Sequence, residues 1–207
     1  MRLNAPLAPG VYLGVEALVQ AAGGALAIGG DGPAVDYLVC MQRLPAERCL
    51  EDRIRDDRLD AGEIDRAAET LAPFLPRGAV GGPGGPRRNA APGRRRGGGA
   101  AAAAARADAG CRELHAALRR ALAAQREQLA ARECREVHGD LRPQHVYPGD
   151  SPVFLDRLTF RRELRLMDPA EELAFLALDC ERLGAGWVGE RFLETYRRDS
   201  ATPSPRR

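Results

Sequence analysis

The sequence predicts an α+β fold, with a small strand-rich part followed by a mainly helical remainder. Three observations lead there. Residues 1–45 carry runs rich in Val, Leu and Tyr, separated by glycine-containing turns. Apolar residues recur at helical spacing after Asp60, after Cys111 and after Asp168. Between the first two of these helical stretches lies a segment, residues 76–110, with almost no large apolar side chain.

The strands are read from "VYLGVEALV" (11–19) and "AVDYLVCMQRL" (34–44), with Asp31-Gly32 as the hairpin turn between them. "LPAER" breaks the second strand. Residues 46–75 begin the helical part. Asp60 and Glu63 have the Asp-x-x-Glu form of a capping box, and Ile64, Ala67, Ala68 and Leu71 follow on one helix face. Pro73 should kink or end that helix.

Residues 76–110 consist mainly of Gly, Ala, Arg and Pro. Such a composition buries too little surface to offset its ordering entropy, so a disordered insert is expected. Its Arg87–Arg96 patch lacks the aromatics of a stacking platform, and a solvated linker outranks RNA binding. Residues 111–199 form the second helical part. Leu114, Leu118, Ala121, Leu122, Gln125 and Leu129 make one stripe of a helix expected to reach about Cys134. "VFLDRL" reads as a short strand. Asp168 caps the next helix, with Pro169 in its first turn, Glu171 completing the box, and a stripe of Leu173, Leu176, Ala177 and Cys180. Val188, Phe192, Leu193 and Tyr196 mark the last helix, Trp187 reads as a packing residue, and residues 200–207 read as a tail.

Composition excludes several classes. The formal charge of +2 argues against a whole-chain nucleic-acid or membrane binder. No apolar run reaches the ~20 residues of a membrane-spanning helix, and no charged-then-apolar leader opens the chain. The five cysteines are odd in number and contain no CxxC pair, which fits neither a disulfide framework nor a zinc site. A cytoplasmic location follows as the expectation. All 31 cationic residues are arginine. With no lysine, the chain has no lysine phosphate clamp, Schiff base or general base.

The chemistry is concentrated in "EVHGDLRPQHVYPGDSPVFLDRLTF", residues 136–160. Phosphoryl transfer to a hydroxyl asks for a carboxylate that orients the nucleophile and receives its proton, and for oxygen ligands that hold Mg²⁺ against the phosphates. Asp140 and Asp156 are separated by enough chain to make one tight hairpin with its ends together. The bland alternative is a polar turn in which His138 and Asp140 bond locally.

These motifs, with "RLNAPLAPGVYLGV", "VDYLVCMQRLP", "HGDLRPQHV", "FLDRLTF" and "DPAEELAFLALDCERLG" in that order, resemble the C-terminal lobe of the aminoglycoside phosphotransferase family, within the protein-kinase-like superfamily. The nearest likeness is to the bacterial subgroup in which this domain precedes a P-loop ATP-binding domain. The resemblance covers most of the chain outside 76–110. It implies a kinase-like architecture, with a partial β lobe and hinge over residues 1–45, and ATP and Mg²⁺ as cofactors. It implies Asp140 as the catalytic aspartate, His138 as the histidine supporting its loop, and Asp156 as a metal ligand. His145 stands where the family usually has asparagine, the second metal ligand, and reads equally well as a packed imidazole. Met41, Arg43 and Leu44 would lie near the adenine. Asp168, Glu171 and Glu172 read as capping and helix-dipole residues.

The departures are the missing glycine loop and strand lysine of a full small lobe, so the resemblance implies an N-terminally truncated lobe. The P-loop domain, whose signature needs a lysine, would be a separate partner. The expected activity is transfer of the ATP γ-phosphoryl group to a hydroxyl of a small-molecule acceptor. The alternative is an inactive, truncated relative that survives as a binding module or a degraded reading frame.

Overall fold

The computed structural model describes residues 2–21, 23–75, 109–124 and 135–201. The first part contains β1 (Tyr12–Gln20), β2 (Leu26–Ile28), β3 (Ala34–Met41), α1 (Leu50–Arg55) and α2 (Ala61–Leu71). After α3 (Ala109–Ala124) come the two-residue strands β4 (Arg135–Glu136), β5 (Val146–Tyr147), β6 (Val153–Phe154) and β7 (Leu166–Met167). Helices α4 (Pro169–Arg182) and α5 (Gly186–Ala201) close the described chain. The mixture of small sheets and helices is the α+β arrangement read from the sequence.

β1 and β3 pair antiparallel, from Tyr12↔Met41 to Val19↔Ala34. Their connection is not a plain hairpin turn. Leu26–Ile28 folds back as β2 on the other edge of β1, giving the order β2-β1-β3. Asp31-Gly32 therefore joins β2 to β3 across the end of β1. β3 ends at Met41, three residues short of the expected strand. Much of this sheet is open to solvent, including Val15, Leu26, Ile28, Tyr37 and Val39.

The core lies in the helical part. α2 begins as its sequence dictates: the Asp60 carboxylate accepts the Glu63 N–H at 2.9 Å, and Ile64, Ala67, Ala68 and Leu71 are buried. The α-form stops at Leu71, and a 3₁₀ turn over Ala72–Phe74 carries Pro73, whose ring has no N–H to continue the helical bonding. α5 packs against both α2 and α4. The α4–α5 approach is close because Gly189 has no side chain: a Cβ there would lie 2.4 Å from Ala177. Leu173, Leu176, Cys180, Val188 and Phe192 fill this seam.

Other expectations need correction. The leucine stripe of α3 is not buried among the described residues, since Leu114, Leu118 and Leu122 are all exposed. Gln125, Leu129 and Cys134 lie outside the described residues, as do residues 76–108, with the Arg87–Arg96 patch, and residues 202–207. Residues 109–110, counted in the expected insert, form the first turn of α3. "VFLDRL" supplies only Val153–Phe154 to a strand. Trp187 is partly exposed, with the Arg191 guanidinium 5.8 Å from its ring centre. Among the described residues no helix is long and apolar enough to cross a membrane.

Candidate functional site

The site is built by a hairpin whose two ends are tied together. β5 and β6 pair as Val146↔Phe154 and Tyr147↔Val153. Below the hairpin the loop holding Asp140 is bonded to the segment holding Asp156. His145 C=O accepts the Leu155 N–H at 2.8 Å, and His138 C=O accepts the Leu158 N–H at 3.2 Å. Two carboxylates sixteen positions apart are thereby brought to one place. One ligand atom from each of Asp140, His145 and Asp156 lies within 4.8 Å of the others.

His138 is 2 % exposed and does not reach this cluster as a reactive group. Its Nδ1 accepts the Asp140 N–H at 3.4 Å, so the ring proton sits on Nε2, which donates to Leu155 C=O at 2.8 Å. Burial pushes its pKa down to about 3, so the imidazole stays neutral as a strut between loop and strand end. His145 is held with the opposite tautomer. Its Nδ1 donates to the Asp140 backbone carbonyl at 2.8 Å, and its Nε2 lies 3.8 Å from Asp156 Oδ2.

Asp156 takes a left-handed backbone conformation, φ 61°, which Asp tolerates better than most residues. Its N–H donates to the Tyr12 hydroxyl at 3.1 Å. The next residue is fixed by the N-terminal segment. Buried Asn4 accepts the Arg157 N–H at 2.7 Å and donates to the Arg157 carbonyl at 3.3 Å. Arg157 Nε also donates to Val137 C=O at 3.0 Å. Asn4 and Tyr12 were not singled out from sequence. Both fall within "RLNAPLAPGVYLGV", a stretch that carried the family resemblance but gave no residue a role.

Glu172, in the first turn of α4, has a role the sequence reading did not give it, and is 2 % exposed. Its carboxylate accepts the His138 N–H at 3.0 Å and the Gly139 N–H in a second, shorter bond. Burial pushes its pKa up to about 7, against the pull of those two donors. Asp168, by contrast, does cap α4, accepting the Ala170 N–H at 2.8 Å. Gly139, at φ +91°, leaves no room for a side chain: a Cβ would meet Arg165 Cγ at 3.0 Å and Leu158 Cδ1 at 3.1 Å.

Behind the loop, Glu136 accepts from Arg162 at 2.9 Å and from Arg165 at 2.9 Å. Burial alone would raise the Glu136 carboxyl, but the hydrogen bonds and charges of these two arginines outweigh it and hold it below the usual range. Arg165 also donates to Leu158 C=O at 2.7 Å, bracing the segment that follows Asp156.

A cavity of ≈ 350 Å³ opens beside Asp140, lined also by Arg142, Met167, Glu172, Phe175 and Asp179. That volume is within the range of small-molecule sites. Leu44 lines a different cavity with Gln42, Pro45 and Tyr147, and none of Asp140, His145 and Asp156 lines it. Met41 ends β3 and is 40 % exposed, and Arg43 is exposed. The structure therefore groups Asp140, His145 and Asp156 and does not group Met41, Arg43 and Leu44 with them.

Comparison with known proteins is sparse. No protein-family model matches the chain, and no solved structure matches it. The chain is 39% identical over 69 residues to the uncharacterized protein Rv2004c of Mycobacterium tuberculosis, covering 33% of this chain and 14% of that protein. The uncharacterized protein Mb2027c of Mycobacterium bovis is similar to the same extent. The matched stretch thus spans about a seventh of the length of these relatives.

Proposed function

We propose that this chain is the large lobe of a kinase-like phosphotransferase, in which Asp140 orients a small-molecule hydroxyl and takes its proton as the ATP γ-phosphoryl group is transferred. The observation that carries this reading is the convergence of Asp140, His145 and Asp156 at one hairpin base, with a cavity open to Asp140. The acceptor would enter that cavity. The loop needs no rearrangement to present the carboxylate, because Glu172, His138 and Gly139 already fix it.

A divalent cation bound here would neutralise phosphate charge. Two of the three donors are carboxylates and suit Mg²⁺. The third is an imidazole and does not, since Mg²⁺ prefers oxygen and keeps its waters. No step is assigned to Mg²⁺. With no lysine in the chain, the grip on the α- and β-phosphates would come from arginine or from a separate P-loop partner domain.

The same absence favours a second reading, a binding module without turnover. The two are separated by incubating the chain with γ-labelled ATP and a panel of hydroxyl compounds, and following label transfer and ADP. Transfer that is lost in Asp140→Asn supports the phosphotransferase. A thermal shift with ATP but no transfer to any acceptor supports the binding module. Neither shift nor transfer would remove both.

A further inference from the structure

We infer that the cluster of Asp140, His145 and Asp156 selects a borderline divalent transition ion, of the zinc and cobalt class, over Mg²⁺; this rests on the reading that the three form one cation site. The inference comes from the donor set. His145 is pinned, because its Nδ1–H is committed to the Asp140 carbonyl at 2.8 Å and its side chain is only 17% exposed. Its ring also stacks on His138, with centroids 6.4 Å apart and planes at 24°. The ring therefore holds Nε2 3.8 Å from Asp156 Oδ2, and one ligand atom each of Asp140, His145 and Asp156 lies within 4.8 Å of the others. A carbonyl on the far nitrogen of a ligating imidazole is the usual outer support of a metal-bound histidine.

One nitrogen and two carboxylate oxygens leave at least one position open. Three protein donors with an open fourth position are the pattern of catalytic zinc sites. Divalent-ion affinity for such mixed donors rises from manganese through cobalt to copper, with zinc below copper, whereas Mg²⁺ asks for six oxygens in strict octahedral array. Asp156 is exposed on its outer side, so an ion has a path in.

The competing arrangement is an imidazolium bridging two carboxylates with no ion, at 3.8 Å to each. Titration of the whole chain with Co²⁺, without ATP, separates the two. The inference predicts saturable visible d–d bands, displacement by Zn²⁺ in one equivalent, and no displacement by Mg²⁺ in 100-fold excess. His145→Asn should weaken Co²⁺ binding at least ten-fold. If that variant fails to fold, Asp156→Asn in the same titration decides, because its side chain is exposed.

Unchanged Co²⁺ affinity in His145→Asn, or displacement by Mg²⁺ at matched concentration, would overturn the inference. So would a thiolate charge-transfer band, which would place the ion on a cysteine, or no binding at all. Failure of phosphoryl transfer with these bands intact would count against the proposed activity and leave the metal preference standing. Mg²⁺ preference together with ATP-dependent transfer would do the reverse.

Discussion

At the scale of single residues, the proposed function divides the labour between Asp140, which would do the chemistry, and Glu172, which holds the loop. Asp140→Asn keeps the loop bonds, which use the backbone of residue 140, and removes the carboxylate that the proposal makes the proton acceptor. Phosphoryl transfer should fall by at least about 100-fold with little change in melting temperature. Glu172 and His138 predict an acid–base profile of stability. Folding raises the Glu172 pKa from 4.5 to about 7, so its contribution is full below pH 4.5 and is lost as pH rises through 7. Folding lowers the His138 pKa from 6.5 to about 3, so its contribution is full above pH 6.5 and is lost as pH falls toward 3. Between pH 4.5 and 6.5 the two slopes cancel, and this pair gives a plateau flanked by losses on both sides. In Glu172→Gln the plateau should become a steady rise from pH 3 to 6.5, read from urea unfolding at each pH. A plateau that persists would mean that Glu172 is not buried as described. Asp140 and Asp156 were legible in the sequence because their spacing matches a hairpin with joined ends. Glu172 was not, since an acid in the first turn of a helix looks the same whether it faces the dipole or a neighbouring loop. Asn4 and Tyr12 were hidden for a related reason: their partners lie about 150 positions away in the chain.

Elements were most readable where a local signal and a buried stripe agreed. α2 is the clearest instance, with its Asp60 cap and four buried apolar residues on one face. β2 left no signal, because three residues of sequence "LAI" cannot show alternation and the pairing partner decides the strand. α3 shows the limit in the other direction: its periodicity announced a helix correctly, while the stripe did not tell that Leu114, Leu118 and Leu122 are exposed. The α4–α5 crossing was also invisible, as a helical glycine carries no sequence mark of what it touches. It gives a direct test. Gly189→Val should lower the unfolding free energy by about 1–3 kcal/mol through overpacking against Ala177, measured by urea melts. An unchanged midpoint would show that the two helices do not approach as closely as the structure has them.

For the whole molecule, the site is held by the helical part while the sheet stays largely uncovered. The core runs through α2, α4, α5 and the loop of Asp140, and the apolar residues of β1, β2 and β3 face solvent on much of their area. The motifs of residues 136–182 were legible because their apolar residues fill this core. ATP with a divalent ion at about 100 times its dissociation constant should stabilise the chain by roughly 2.7 kcal/mol if the chain binds it.

The convergence of Asp140 and Asp156 is the claim on which the rest stands, and a double-mutant cycle on Mn²⁺ affinity, read by electron paramagnetic resonance, tests it most directly. If both carboxylates hold one ion, Asp140→Asn and Asp156→Asn each weaken binding, and the double variant loses much less than the product of the two single losses. Losses that multiply fully, or a single variant with no loss, would place the two carboxylates in separate sites and contradict the account.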